Sequence, residues 1–234
     1  MSNLHTLDFD FITQRETAHR TTTIARAVIA GWTARDLAAM EHHIVELEKI
    51  GVPRPKHTPM FYRVGARRIT TADRIEAVGG DSSGEAEFVI VNAHGQLWIG
   101  VGSDHTDRKV ETYGITVSKQ MCDKPVAPQL WPLSEVEPHW DRLQLHSEVK
   151  IDGRSSIYQD GAVASMRSPR ELISLFERDY GPFGDGSLMF CGTLAAIGGI
   201  RPAERFEFAL VDPVLERRIG HAYDVAILPI VEAE

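Results

Sequence analysis

Two short apolar runs on either side of a turn constrain this chain more than any other feature. Glu87-Phe88-Val89-Ile90-Val91 and Gln96-Leu97-Trp98-Ile99-Gly100-Val101-Gly102 flank Asn92-Ala93-His94-Gly95. Such runs, split by turn-forming residues, predict an antiparallel hairpin. A two-residue loop at Ala93-His94 pairs Asn92 with Gly95. Counting back, Glu87 faces Gly100, Glu85 faces Gly102, and Asp104 falls opposite Ser83. Residues i and i+2 of a strand share a face about 7 Å apart. Glu85 and Glu87 therefore project together, with Asp104 diagonal to Glu85 on the same face. Like charges near apolar neighbours repel and lose hydration, and a bound cation relieves both. Glycines opposite the glutamates leave room for something other than side chain. Oxygen donors favour magnesium, manganese or calcium over zinc. The competing reading is a solvated acidic strand face. A slip of one residue would turn Asp104 to the other side.

The remaining pattern predicts an α+β fold dominated by sheet. LDFDF near the N-terminus reads as a strand, followed by a polar stretch leading to ARAVIAG. Thr33 is placed to cap a helix over 34–50, whose apolar positions Leu37, Met40, Ile44 and Leu47 recur at helical spacing. Pro53, Pro55 and Pro59 mark an extended connector. MFYRV, RIEAV and GITVS read as further strands, and the proline-broken stretch after Lys119 as irregular loop. RLQLHSEVKI and SIYQDGAVAS read as two more. Ser168 and Pro169 open a second helix, RELISLFERDY. SLMFCGT, RFEFALV and ERRIGHAYDVAIL return to strand. The chain divides into an N-terminal segment, 1–58, and a β-rich metal-binding domain, 59–234, expected to form one compact unit.

Composition narrows the class. With 234 residues, 43% of them hydrophobic, the chain has enough apolar side chain for a substantial core. A formal net charge of -8 argues against nucleic acid as the main partner. No apolar run approaches the length of a membrane span. MSNLHTLDFDF lacks the basic start and apolar centre of a signal peptide. Cys122 and Cys191 lie far apart without a CxxC, so the expectation is a cytoplasmic protein with buried thiols.

Around the carboxylates, several motifs resemble those of the fumarylacetoacetate hydrolase family, in the same order. Glu85-Ala86-Glu87 is similar to its paired-glutamate ligand motif. Ser103-Asp104-His105-Thr106-Asp107-Arg108 resembles its Asn-Asp-x-Ser-x-Arg element, placing Asp104 on the metal-binding aspartate and Arg108 on the arginine. Lys119 matches the lysine that reaches the substrate. RLQLHSEVKIDGRSSIYQDGAVASM is similar to the Leu-x-Leu-x-Val-x-Gly…Gln…Met hairpin. LMFCGTLAAIGG resembles the Thr-Gly-Thr-Pro-Ala-Gly-Val-Gly loop, with Thr193 on the site threonine. His43-Ile44-Val45-Glu46 resembles the His-x-x-Glu of the family's N-terminal lid, and Pro59 to Arg63 its Pro-x-x-Phe-x-Lys. Ser103 replaces the usual asparagine, Lys109 an aspartate, and Leu194 the proline after Gly-Thr.

The resemblance implies a β-roll or barrel-like mixed sheet with a few short helices, a divalent cation (magnesium first) on Glu85, Glu87 and Asp104, and a homodimer. It implies a metal-dependent hydrolase cleaving a carbon–carbon bond in a small 2-oxo or 1,3-dioxo carboxylic acid through an enolate. Decarboxylase, hydratase or tautomerase chemistry on the same site is the alternative, and a binding or scaffold protein with a degraded site the alternative of another class. His43, three residues before Glu46 on one helical face, has the geometry of an oriented general base, with His42 as rival. Lys119 is expected to contact a substrate anion. Arg108, Thr193, Gly192 and Arg63 are candidates for substrate binding, Gly192-Thr193 as an anion-binding turn, with Tyr62 beside Arg63. Arg108 suits steadying the carboxylates as well. His105 alternates to the opposite strand face from Asp104, so a structural role is expected. Asp107 is expected to orient a neighbour or sit at the surface. Trp131 and Trp140 read as packing residues.

Overall fold

The computed structural model describes residues 5–38, 40, 41, 44, 45 and 54–231. His42, His43 and Glu46 lie outside the described residues. An eight-stranded mixed sheet runs in the order β2 (Thr17–Ile24), β1 (His5–Ile12), β12 (Gln129–Pro132), β9 (Gln96–Ser103), β8 (Ala86–Ala93), β15 (Ser187–Thr193), β3 (Arg26–Gly31), β4 (Met60–Val64). A second sheet of five runs β14 (Arg154–Ala162), β13 (Gln144–Ile151), β16 (Arg205–Asp212), β17 (Arg217–Leu228), β6 (Arg74–Val78). Two short ladders, β10 (Thr106–Asp107) with β7 (Ser82–Ser83) and β11 (Lys124–Pro125) with β5 (Ile69–Thr70), complete the strands.

The central strands are apolar on both faces because both are covered. Phe88, Ile90 and Met189 join one core with Leu145, Phe206, Phe208 and Tyr223 of the five-stranded sheet. The alternate residues Val89, Val91, Leu188 and Phe190 face a second core. That core also holds Phe9 and Phe11 of β1 and Tyr62 and Val64 of β4, near opposite edges of the sheet. The large sheet therefore curls around it. Glu87 shares the strand face of Val89 and Val91, which places it on this concave side.

The turn differs from the sequence expectation. His94 and Gly95 form it, both at positive φ (53° and 78°), as a type I′ hairpin needs. Ala93 pairs with Gln96, Val89 with Gly100 and Glu87 with Gly102. Every pair is displaced by two residues from the expected register, so each side chain keeps its face. The glycines do not leave open space. A Cβ on Gly102 would meet the Phe190 ring at 2.7 Å and the Pro125 carbonyl at 2.9 Å.

Other local expectations fail for physical reasons. Ala34 bridges Met166, and Leu37, Ala38, Met40, Glu41, Ile44 and Val45 are helical. Asp36, not Thr33, caps this segment, its carboxylate accepting from the Ala38 N–H at 2.9 Å. GITVS is not a strand: α2 (Ile115–Met121) follows the short α1 (Arg108–Glu111), and turns Ser118 and Lys119 inward. The stretch after Lys119 contains β11, β12, α3 (Leu133–Val136) and a 3₁₀ turn over Glu137–Arg142. The polar stretch after LDFDF is strand β2, paired along its whole length with β1. The second long helix, α4 (Pro169–Tyr180), starts as expected, with Ser168 as N-cap. Cys122 and Cys191 are buried and unbridged.

Candidate metal centre

Where β8 begins and β9 ends, the Asp104 N–H donates to the Glu85 carbonyl at 2.9 Å, extending the hairpin ladder by one pair. That step sets Asp104 beside both glutamates. Oxygens of Glu85, Glu87 and Asp104 lie within 4.8 Å of one another. Asp104 is sealed (0% exposed) and Glu87 nearly so (3%). Among the described residues no other three acidic, histidine or cysteine side chains converge in this way.

Cations gather unevenly around the three acids. The Lys119 ammonium donates to Asp104 and lies 3.9 Å from Glu85. Lys124, fully buried, approaches the other Asp104 oxygen at 2.9 Å and donates to the His105 carbonyl. The Arg108 guanidinium lies 3.2 Å from Glu85, pairs with Glu111 at 3.0 Å and donates to the Ser83 hydroxyl at 2.7 Å. Glu87 receives the Gly192 N–H at 2.7 Å.

The charge states follow. Burial alone would raise Asp104, but Lys119 and Lys124 outweigh it and hold the carboxyl at about 2. Burial pushes Glu87 well above the usual carboxylate range, and Asp104 adds to the shift. Glu85 is raised by burial, with Arg108 and Lys119 opposing. Burial would lower Lys119, yet Asp104, Glu85 and Glu87 overcome it and keep it a cation. Arg108 is raised in the same way, Glu85 and Glu111 overcoming burial.

His105 sits behind the cluster. Its ring nitrogens lie 2.9 Å from the Tyr223 hydroxyl and 2.8 Å from the Ser82 hydroxyl, and burial, with Lys124 and Arg108 near, lowers its pKa to about 3. The ring is neutral and fully engaged. Asp107 caps α1 by accepting from the Val110 N–H at 2.8 Å. Trp131 and Trp140 are buried packing residues, Trp131 under the Arg217 guanidinium and Trp140 against Phe88.

Other candidates land elsewhere. Gly192 and Thr193 do not offer a free anion-binding turn. The Gly192 N–H is taken by Glu87, and the Thr193 hydroxyl donates to the Ala86 carbonyl at 2.7 Å while accepting from Gln159 at 2.6 Å. Arg63 is exposed and directed to the Ala25 carbonyl at 3.4 Å, while its strand neighbour Tyr62 is buried in the concave core. One-residue alternation along β4 separates them. Arg108 faces Glu85, Glu111 and Ser83, and its terminal nitrogen on the Glu85 side makes no hydrogen bond. Lys124 went unrecognised in the sequence. It sits in a proline-rich stretch, and its place depends on β11 pairing with β5, far away in the chain.

The donor set fits a hard divalent cation: three carboxylates, two of them near-fully buried, one strongly undercompensated. Lys119 holds an oxygen that an ion would share.

Residues 30–223 match the family described as "Protein of unknown function (DUF2848)". The chain belongs to this family. No curated protein matches its sequence. Its fold is that of fumarylacetoacetate hydrolase family proteins. It is similar to 2-keto-3-deoxy-D-arabinonate dehydratase complexed with magnesium and 2,5-dioxopentanoate (TM-score 0.62, 16% identity, 90% of this chain, 77% of that one). It is also similar to yeast ynq8, a fumarylacetoacetate hydrolase family protein (TM-score 0.61, 15% identity, 87% and 93%), and to Cg1458 (TM-score 0.63, 13% identity, 92% and 84%). Among the described residues, no helix is long and apolar enough to cross a membrane.

Proposed function

We propose that this DUF2848 protein is a divalent-metal-dependent enzyme that cleaves a carbon–carbon bond in a small 2-oxo or 1,3-dioxo carboxylic acid. The observation that carries the reading is the meeting of Glu85, Glu87 and Asp104 oxygens within 4.8 Å in a nearly sealed site. When bound there, magnesium or manganese would neutralise charge developing on the substrate's oxo and carboxylate oxygens. Lys119 adds to that neutralisation, since its ammonium stays protonated and faces the same cluster. Lys124 holds Asp104 ionised from the other side. Arg108 fixes Glu85.

A general base is also needed. His105 does not serve, because both ring nitrogens are occupied. We assign the role to His43, with Glu46 three residues on in the sequence and His42 as the rival. Water, losing a proton to His43, adds to the distal carbonyl; the carbon–carbon bond breaks, its electron pair forms the enolate, and a proton completes the smaller 2-oxo acid.

The test is hydrolysis of acylpyruvates with magnesium or manganese, alongside deuterium exchange at the methylene of 2-oxo acids. Loss of hydrolysis in His43→Ala, with metal binding and exchange retained, supports the hydrolase. Exchange and turnover of hydroxylated 2-oxo acids without acylpyruvate cleavage instead favours a dehydratase, a reading that the similarity to 2-keto-3-deoxy-D-arabinonate dehydratase supports. Failure to bind any divalent ion at millimolar concentration, both before and after Glu85→Ala/Glu87→Ala, rejects the enzyme in favour of a binding or scaffold protein.

A further inference from the structure

Ala86 alone separates Glu85 from Glu87, and the strands facing it are irregular on two sides. β15 pairs with β8 in step from Ser187 with Asn92 to Phe190 with Val89, then shifts so that Thr193 meets Glu87. Three steps on β15 answer two on β8, which is the one extra residue of a β-bulge. Gly192 lies in this bulge at φ 97°, and its N–H turns to the Glu87 carboxylate. In the other sheet, β14 shifts against β13 between the pairs Gln159 with Ser147 and Ile157 with Glu148. The extra residue there is Tyr158. Tyr158 and Gln159 are therefore both buried, although neighbours in a regular strand alternate between faces.

The second bulge sends the Gln159 side chain, in a residue 1% exposed, across to the large sheet. Its Oε1 accepts from the Ala86 N–H and from the Ser147 hydroxyl, each at 2.9 Å. Its Nε2 donates to the Leu194 carbonyl at 2.7 Å and to the Thr193 hydroxyl oxygen at 2.6 Å. A backbone N–H only donates and a carbonyl only accepts, so these partners fix which way the amide points. The Thr193 hydroxyl, accepting from Gln159, spends its own proton on the Ala86 carbonyl at 2.7 Å. A ring closes: Ala86 N–H to Gln159, Gln159 to Thr193, Thr193 to the Ala86 carbonyl. The Ala86 N–H belongs to the peptide unit shared with Glu85, and its carbonyl to the unit shared with Glu87. Both units joining the two glutamates are thus held by side chains. Thr193 also follows Gly192, the residue that braces Glu87. None of the four hydrogen bonds of the Gln159 amide goes to a carboxylate; the amide acts on the backbone from which the carboxylates extend.

We propose that Gln159, acting through Ala86 and Thr193, is a positioning residue that holds Glu85 and Glu87 at one spacing and makes the centre select magnesium over calcium. Magnesium demands near-octahedral oxygens at about 2.0–2.1 Å, whereas calcium accepts a looser set at about 2.3–2.6 Å. A rigid pair of acids preserves the stricter geometry, and a loosened pair accommodates the larger ion as well. The inference rests on the metal-centred reading above and adds the origin of its ion preference.

The test is titration calorimetry with magnesium and with calcium, alongside thermal melts without either ion. The unmodified protein should prefer magnesium. Gln159→Met keeps the length of the side chain and removes all four hydrogen bonds; it should weaken magnesium about tenfold and calcium by less than about threefold. Thr193→Val breaks the same ring and should lower the magnesium preference in the same direction, while Thr193→Ser, which keeps the hydroxyl, should restore it. The Thr193 pair carries the test if Gln159→Met does not fold. A structural role would lower the melting temperature and leave the ratio of the two affinities unmoved, and that result overturns the inference. Equal affinity of the unmodified protein for both ions overturns this inference alone. Binding of neither ion at millimolar concentration overturns the metal-centred reading and this inference with it.

Discussion

Asp212 and Glu87 are both carboxylates shut inside the protein, and the fold treats them in opposite ways. Asp212, 0% exposed, accepts from the Val214 and Leu215 N–H groups at 3.1 Å and from Arg217 at 3.2 Å, with His139 at 2.9 Å. Burial alone would raise its pKa, yet these partners lower it. Arg217 continues to Glu135 at 2.7 Å and lies 4.5 Å from the Trp131 ring centroid. Everything this carboxylate needs is supplied by the chain. Glu87, 3% exposed, has one backbone N–H, two carboxylates and a Lys119 ammonium that it shares with both of them, and its pKa is well raised. A closed knot of partners marks structure. A buried acid left short of positive charge marks a place where something from outside completes the set.

The largest expected effect tests the closed side. Asp212→Ala strips the acceptor from two backbone N–H groups and a largely buried guanidinium, and should cost about 3 kcal/mol. Denaturant unfolding measures it. Divalent-ion affinity should not change. A loss below about 1 kcal/mol would mean that the turn between β16 and β17 repairs itself, and that Asp212 is no more structural than a surface acid.

The next effect tests the boundary between the two kinds of site. Lys119 contacts Asp104 as a structural partner would, and also faces Glu85 at 3.9 Å. If the cluster is built for an ion, this ammonium opposes its entry. Lys119→Met should then tighten manganese binding about tenfold, while abolishing turnover, because a positive charge about 4 Å away is worth more than 1 kcal/mol at a partly buried site. Weaker binding in Lys119→Met would place Lys119 with Arg217, as a strut.

The sequence disclosed the acids better than it disclosed their counter-charges. The hairpin's turn lies at His94-Gly95, not Ala93-His94, and every cross-strand pair moved with it. The displacement is two residues, the period of a strand, so Glu85, Glu87 and Asp104 stay on one face. A displacement of one would have dispersed them. Arg63 shows the opposite outcome: it and Tyr62 differ by one position in β4, and the buried side belongs to Tyr62. Lys124 reaches the site through the pairing of β11 with distant β5, and Tyr223 through its hydroxyl contacts with Ser103 and His105, far away in the chain, which no local spacing encodes. In α2 the β-branched run Ile115-Thr116-Val117 favours a strand by propensity, but the helix is what carries Lys119 to Asp104. Thr33 carries a typical cap residue's identity, yet its hydroxyl is spent on Cys191.

The smallest effect, and the sharpest test of the contrast, is Glu87→Gln. The amide keeps an acceptor for the Gly192 N–H and removes a charge that the metal-free protein barely tolerates. Stability without metal should rise by about 1 kcal/mol, where the same chemistry at Asp212 should lower it. The pH dependence carries the same sign. Burial raises the folded-state pKa of Glu87, so the folded chain binds that proton more tightly than the unfolded chain. Below the usual carboxylate range both states hold it. As pH rises through that range towards the raised value, stability is lost, and Glu87→Gln should remove the larger part of the loss, leaving the smaller share from Glu85. Asp104, held at about 2, contributes oppositely: its stabilisation is present above the usual range and vanishes as pH falls towards 2. Saturating manganese should reverse the Glu87 trend, stabilising the unmodified protein more as pH rises and leaving Glu87→Gln unmoved. Thermal melts from pH 5 to 8, with and without manganese, decide it. If Glu87→Gln melted lower than the unmodified protein at every pH without metal, Glu87 would belong with Asp212, and the cluster would be a structural knot with no call for an ion.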